Sequence, residues 1–184
     1  FQYMACAKIM KDELMFCGWD RGSLVRYYII ALSVLLLDQV TKWLVIRKMD
    51  LYESIPLLDG VFYITSHRNS GAAFGILQGQ QWLFIPITVL VVAFLIYYLA
   101  RLRNSHPLAS WSFALLLGGA VGNLIDRIRF GEVVDFLDFR LINFPIFNVA
   151  DSAIVIGVTF LIWETLKNPE QKKEKDLSET GDTQ

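Results

Sequence analysis

Charge is scarce in this 184-residue chain. Asp, Glu, Lys and Arg make up 19% of it and leave a formal net charge of −1 at pH 7. A soluble domain carries nearer 25% charged residues, and without a basic excess the chain has no field suited to nucleic acid. Cysteine is almost absent. Cys6 and Cys17 lie near the N-terminus, away from the hydrophobic body, and neither belongs to a CxxC pair, so no disulfide framework, zinc site or redox site is indicated. No GxSxG, HExxH or P-loop pattern occurs. Apolar residues are plentiful instead, at 54%. That excludes a disordered chain and argues against an ordinary soluble enzyme.

The apolar residues gather in four runs, Tyr27–Ile46, Trp82–Ala100, Leu108–Ile125 and Ala150–Leu166. Each is about long enough to cross a ~30 Å hydrocarbon core at ~1.5 Å per residue. Trp82–Ala100 carries no charge, whereas a helix of a soluble bundle needs a polar face. Tyr27, Tyr28, Trp43, Trp82, Tyr97, Tyr98 and Trp163 cluster at run ends, where an interfacial aromatic belt forms. The predicted fold is an all-α membrane protein of four transmembrane helices with a small extracytoplasmic β-containing loop region.

Four spans place both termini on one side. A modest excess of Lys and Arg there, including Arg101, Arg103 and Lys167, favours the cytoplasm. The long loops, about 47–81 and 126–149, then face outward, and long loops carry function. Residues 1–24 lack periodicity and read as a non-native or disordered extension, with the membrane domain at 25–167. Residues 168–184 are polar and read as a disordered cytoplasmic tail.

Charge inside a bilayer is costly and marks function by default. Asp38 and Lys42, four apart in the first run, meet on one helix face. They form either an internal ion pair or a contact to other site groups. Ala114, Gly118, Gly122 and Asp126 make a small-residue stripe that suits close helix packing. Asn123 and Arg127 lie on the neighbouring face. Arg127 suits snorkelling to the interface, while Asn123 needs a partner in a low-dielectric site.

Asp135 sits between apolar neighbours in GEVVDF, an extended stretch just past the third span. Asp151 opens the fourth. Residues 136–148, with Pro145, turn the chain back, so the two carboxylates can meet at one membrane face. Asp151 has a second reading as the third residue of a helix capped by Asn148. Val61–Thr65 reads as a short strand, followed by HRNSGAAFG, whose glycines suggest a turn or close backbone approach. His67 reads as a loop or surface histidine. His106 belongs to the opposite side, which argues against a histidine metal site.

Taken in order, DQVTK (38–42), NSGAAFG (69–75), GGAVGNLIDR (118–127), EVVDF (132–136) and FNVADSA (147–153) closely resemble the lipoprotein signal peptidases, or signal peptidase II. Each motif is short, but five in order, each at its span or loop, are specific. The resemblance covers roughly residues 27–166. It implies a monomeric aspartic endopeptidase of the bacterial cytoplasmic membrane, without cofactor or metal. Its substrates would be diacylglyceryl-modified prolipoproteins, cut before the lipidated cysteine, in contact with membrane lipid and inhibited by globomycin-type peptides. It implies Asp135 and Asp151 as the catalytic pair. Asp38, Asn69, Asn123, Arg127 and Asn148 would support it, with Lys42 and Gly71 from the same motifs beside them, and Asp126 structural. The alternative is a small proton-coupled membrane transporter relaying protons through Asp38, Asp135 and Asp151. A bare second span and polar groups gathered at one end count against it.

Overall fold

The structure, a computed structural model, describes residues 21–71, 79–102 and 107–167. Four helices run the length of a membrane: α1 (Arg21–Lys48), α2 (Gln81–Leu102), α3 (Pro107–Phe130) and α4 (Val149–Lys167). Three strands, β1 (Ser54–Leu58), β2 (Phe62–Asn69) and β3 (Val133–Phe139), form an antiparallel sheet in the order β1-β2-β3. The expected class therefore holds: a four-span helical protein with a small sheet in its loops. α1 begins ahead of the expected domain start at residue 25. The expectations for residues 1–20, 72–78, 103–106 and 168–184 lie outside the described residues.

The outward faces of the helices are apolar, as a surface that meets lipid requires. Large side chains such as Trp82, Leu90, Val155 and Leu166 stand exposed on them, an arrangement that water would penalise and hydrocarbon does not. α3 is the central helix, packed on α1, α2 and α4 around Tyr27, Leu95, Leu99, Phe113 and Leu117. Its small-residue stripe permits this approach. A Cβ on Gly118 would lie 2.5 Å from the Ala31 carbonyl oxygen of α1, and one on Gly122 would lie 2.5 Å from Asp38 Oδ2. Only glycine lets the two helices and the Asp38 side chain sit this close.

The sheet closes over one end of the bundle. Val134 and Phe136 pack with Val45, Met49 and Val149, tying β3 to the ends of α1 and α4. The expected strand at Val61–Thr65 is longer than its apolar residues indicate. β2 continues through His67, Arg68 and Asn69, because β3 supplies partners there: His67 stands opposite Asp135, Arg68 opposite Val134 and Asn69 opposite Val133. Tertiary pairing overrides the turn character of that segment.

Between Ile64 and His67 the β2–β3 register shifts: Ile64 faces Leu137, yet His67 faces Asp135, so two residues of β2 oppose one of β3. This β-bulge decides which side chains reach the site. Without the extra residue, Ser66 would face Asp135 and Arg68 would face Val133. With it, His67 and Asn69 share the sheet face of Asp135, since cross-strand partners project to the same side.

Candidate active site

The site begins with how α4 starts. The first N–H groups of a helix have no partner inside it. Here Asn148 caps them: its Oδ1 accepts the Asp151 N–H at 2.9 Å, and Asp151 Oδ2 accepts the Asn148 N–H at 3.2 Å. This reciprocal pair is a capping box with Asp151 at the third helical position. A second carboxylate, Asp38, accepts the Ala150 N–H at 2.9 Å. The capping reading of Asp151 is thus realised.

The same Asn148 reaches the other way. Its Nδ2 donates to Asp135 Oδ1 at 2.7 Å. Asp135 Oδ2 accepts from Asn69 Nδ2 at 3.0 Å, and Asn69 Oδ1 accepts the Gly71 N–H at 3.0 Å. Gly71 thereby fixes which end of the Asn69 amide faces the carboxylate. Asp151 Oδ1 accepts from Asn123 Nδ2 at 2.8 Å, while Asn123 Oδ1 accepts from Lys42 Nζ at 2.9 Å and from Asn148 Nδ2 at 3.1 Å. Every carboxylate oxygen of the pair holds one N–H donor.

Behind the pair lies a buried ionic cluster. Lys42 is 2% exposed and its ammonium sits 2.8 Å from Asp38 Oδ2, 2.8 Å from Asp126 Oδ2 and 2.9 Å from Asn123 Oδ1. Three acceptors match the three N–H donors of an ammonium group. Gln39 donates to Asp126 Oδ1 at 3.0 Å, and Asp126 Oδ2 accepts the Val134 N–H at 3.2 Å. Asp126 therefore anchors β3 to α3, the structural role expected of it. Of the two readings of Asp38 and Lys42, the ion pair is present, and it also reaches the site groups through Asn123 and the α4 start. Arg127 Nη2 donates to the Gly71 carbonyl at 3.4 Å, and its guanidinium lies 5.0 Å from the Phe84 ring centroid.

Asp135 and Asp151 open onto one cavity of about 1010 Å³. Asn69, Asn123 and Arg127 line its polar side, and Ile154, Val155 and Ile156 line an apolar side. Asp135 is 1% exposed. Its burial, and next the charge of Asp151, push its carboxyl up to about 7, against the pull of the Asn69 and Asn148 hydrogen bonds and of Lys42. Among the described residues, no group of three or more His, Cys, Asp or Glu side chains is placed to hold a metal ion.

His67 is a correction. It stands in β2 and not in a loop, is only half-buried, and lines the cavity. Tyr52 also lines it and was not singled out from the sequence. The bulge that places His67 there leaves no signature in a single sequence.

Fold and site together define a four-span membrane protein with a paired-carboxylate centre at one end of its bundle. The chain belongs to the signal peptidase (SPase) II family, whose model matches residues 30–167. It is 55% identical over 153 residues to the lipoprotein signal peptidase of Halalkalibacterium halodurans, covering 82% of this chain and 98% of that one. It is 58% identical over 136 residues to the lipoprotein signal peptidase of Brevibacillus brevis, covering 74% and 91%. A bacterial membrane enzyme structure obtained by the in meso method at 2.3 Å resolution superposes with a TM-score of 0.76 at 40% identity, covering 81% of this chain and 92% of that one. A bacterial membrane peptidase is the coarse identity these likenesses establish.

Proposed function

We propose that this protein is an aspartic endopeptidase that removes signal peptides from diacylglyceryl-modified prolipoproteins, cutting before the lipidated cysteine. One observation carries the reading: Asn148 holds Asp135 through its side chain and Asp151 through its backbone N–H, at 2.7 and 3.2 Å, at the wall of one cavity.

Two carboxylates sharing a site do not both ionise readily, so the pair shares a proton near neutral pH. Asp135, pushed up to about 7, is the carboxyl that keeps it. Asp151, in the first turn of α4, takes the part of the base. Asp151 takes a proton from water as the water oxygen attacks the scissile carbonyl carbon. Asp135 gives its proton to the carbonyl oxygen. The tetrahedral adduct collapses when the leaving nitrogen receives a proton from Asp151, the C–N bond breaks, and Asp135 recovers its proton. The products are a carboxylic acid on the signal peptide and an amine on the lipidated cysteine, which exchange a proton to leave as carboxylate and ammonium. Asn123, Asn69 and Asn148 hold the carboxylates in place, Lys42 holds the Asn123 amide, Asp38 holds the helix start, and Arg127 with Gly71 secures the segment beside them.

The apolar side of the cavity suits acyl chains and a signal-peptide helix that stay in lipid, and its polar side suits water. We place the site at the extracytoplasmic surface of the bacterial cytoplasmic membrane, with both termini in the cytoplasm. Globomycin-type peptides are expected to occupy the cavity. The test is incubation of the purified protein with a lipidated precursor peptide. Mass spectrometry should find a product beginning with the lipidated cysteine. An intact precursor, or a cut elsewhere, would reject the reading. The transporter reading finds no specific support, since the paired carboxylates sit at one end of the bundle.

A further inference from the structure

Among the described residues of the cavity wall, His67 carries a buried side-chain nitrogen without a partner. His67 stands directly opposite Asp135 in the β2–β3 register, on the same sheet face, because of the bulge that precedes it. Cross-strand partners have Cβ atoms about 5 Å apart, so whatever occupies the space beside Asp135 also meets the imidazole. Its Nδ1 is sealed from water and has no hydrogen-bond partner among the described residues. Every other site amide and carboxylate described above is paired.

The ring is held in place at a conformational cost. Tyr52, itself in the cavity wall, contacts the imidazole edge-on, with centroids 6.3 Å apart and an interplanar angle of 61°. Tyr52 has φ +68°, the left-handed region that a bulky side chain rarely adopts. Backbone strain of this kind persists where surrounding structure enforces it, and it clusters at ligand sites. The Tyr52 N–H donates to the Ser66 carbonyl at 2.8 Å, so the strained residue is pinned to the bulge itself.

We propose that His67 is a substrate-binding residue whose Nε2–H donates a hydrogen bond to a main-chain carbonyl of the peptide lying beside Asp135. This rests on the peptidase reading above. Neutral imidazole has one N–H and one bare nitrogen. A sealed, unpaired nitrogen is better left bare than protonated, since an orphaned buried N–H is the rarer and costlier case. The proton therefore sits on Nε2, and His67 lines the cavity. Burial, and next the Arg68 guanidinium, hold the ring below the usual histidine range against the pull of Glu132. His67 is thus a neutral donor at neutral pH and does not compete with the carboxyl pair for its proton. An extended peptide offers carbonyls at every residue, so the contact fixes the depth of the chain without selecting its side chains.

The test compares three variants in the precursor-cleavage assay at pH 7. In His67→Gln the amide nitrogen falls where Nε2 was; in His67→Asn it falls where Nδ1 was; His67→Ala supplies neither. The expected result is a KM raised about tenfold in His67→Ala, the loss of one hydrogen bond, with kcat within about twofold. His67→Gln should recover most of that KM and His67→Asn should not. Equal KM values for the wild type and His67→Ala overturn the proposal. So does recovery in His67→Asn as full as in His67→Gln, or an equal loss of kcat in all three with a lowered melting temperature. Failure of the wild type to cleave would strike the peptidase reading itself, which the variant comparison leaves unaddressed.

Discussion

Asn148 donates its side-chain N–H to Asp135 at 2.7 Å while its Oδ1 caps the Asp151 N–H at 2.9 Å. One buried amide thus starts a helix and ties a strand residue to it. The two roles separate by substitution. Asn148→Ser keeps a capping oxygen but is too short to hold Asp135. It should lose about 1–3 kcal/mol of stability, the cost of a buried carboxyl without its donor, and roughly 10²-fold in kcat. Asn148→Ala should lose the same activity and about 1 kcal/mol more from the missing cap. Equal activity of Asn148→Ser and the wild type would show that the tie to Asp135 does not matter.

Lys42 is the counter-charge for two carboxylates, each 2.8 Å away and at most 1% exposed. Lys42→Met keeps the volume and leaves both carboxylates buried without a cation. Breaking a buried ion pair in this way costs about 3–5 kcal/mol, and it frees the Asn123 amide to turn. The purified variant should melt far below the wild type or fail to accumulate in membranes. A near-native melting temperature would contradict the ionic cluster.

The contribution of Asp135 to stability should fall as pH rises from 3.8 to about 7. The Asp135 carboxyl stands at about 7 in the folded protein against an ordinary 3.8. Between those values the folded protein holds a proton that the unfolded chain has released. The native state is therefore favoured at low pH and loses that advantage as pH climbs to about 7. Asp135→Asn cannot titrate, so its melting temperature minus that of the wild type should grow from pH 5 to pH 8. A constant difference across that range would place the Asp135 carboxyl in the ordinary range.

Orientation is open to labelling. Single cysteines at Ser70 and Ser105, in a background lacking Cys6 and Cys17, should behave differently in intact cells. A membrane-impermeant thiol reagent should modify Ser70→Cys and spare Ser105→Cys. The reverse would put the site in the cytoplasm and end the claim of cleavage after export.

Much of this was legible in the sequence because a bilayer leaves little choice. A span without charge can only face lipid, so the four helices follow from length and composition alone. Asp38, Asn123 and Asp135 were conspicuous because a polar group among apolar neighbours needs a reason. The capping pair Asn148–Asp151 follows from spacing. Less legible were the features set by pairing between distant segments. β1 contains Pro56 and lies wholly exposed, so no alternating pattern marks it. The extension of β2 and the bulge at Thr65–Ser66 depend on β3, more than sixty residues later in the chain, and with them went the placement of His67. That Lys42 serves Asp126 as well as Asp38 required the third helix to be in position.

The central claim is that Asp135 and Asp151 divide acid and base work between them. The direct measurement is single-turnover cleavage of a lipidated precursor by purified Asp135→Asn and Asp151→Asn, each shown folded by its melting curve. Each should cleave at least about 10³-fold more slowly than the wild type, within the range for loss of a general acid or base. Turnover within tenfold of the wild type by either folded variant would contradict the paired-carboxylate mechanism.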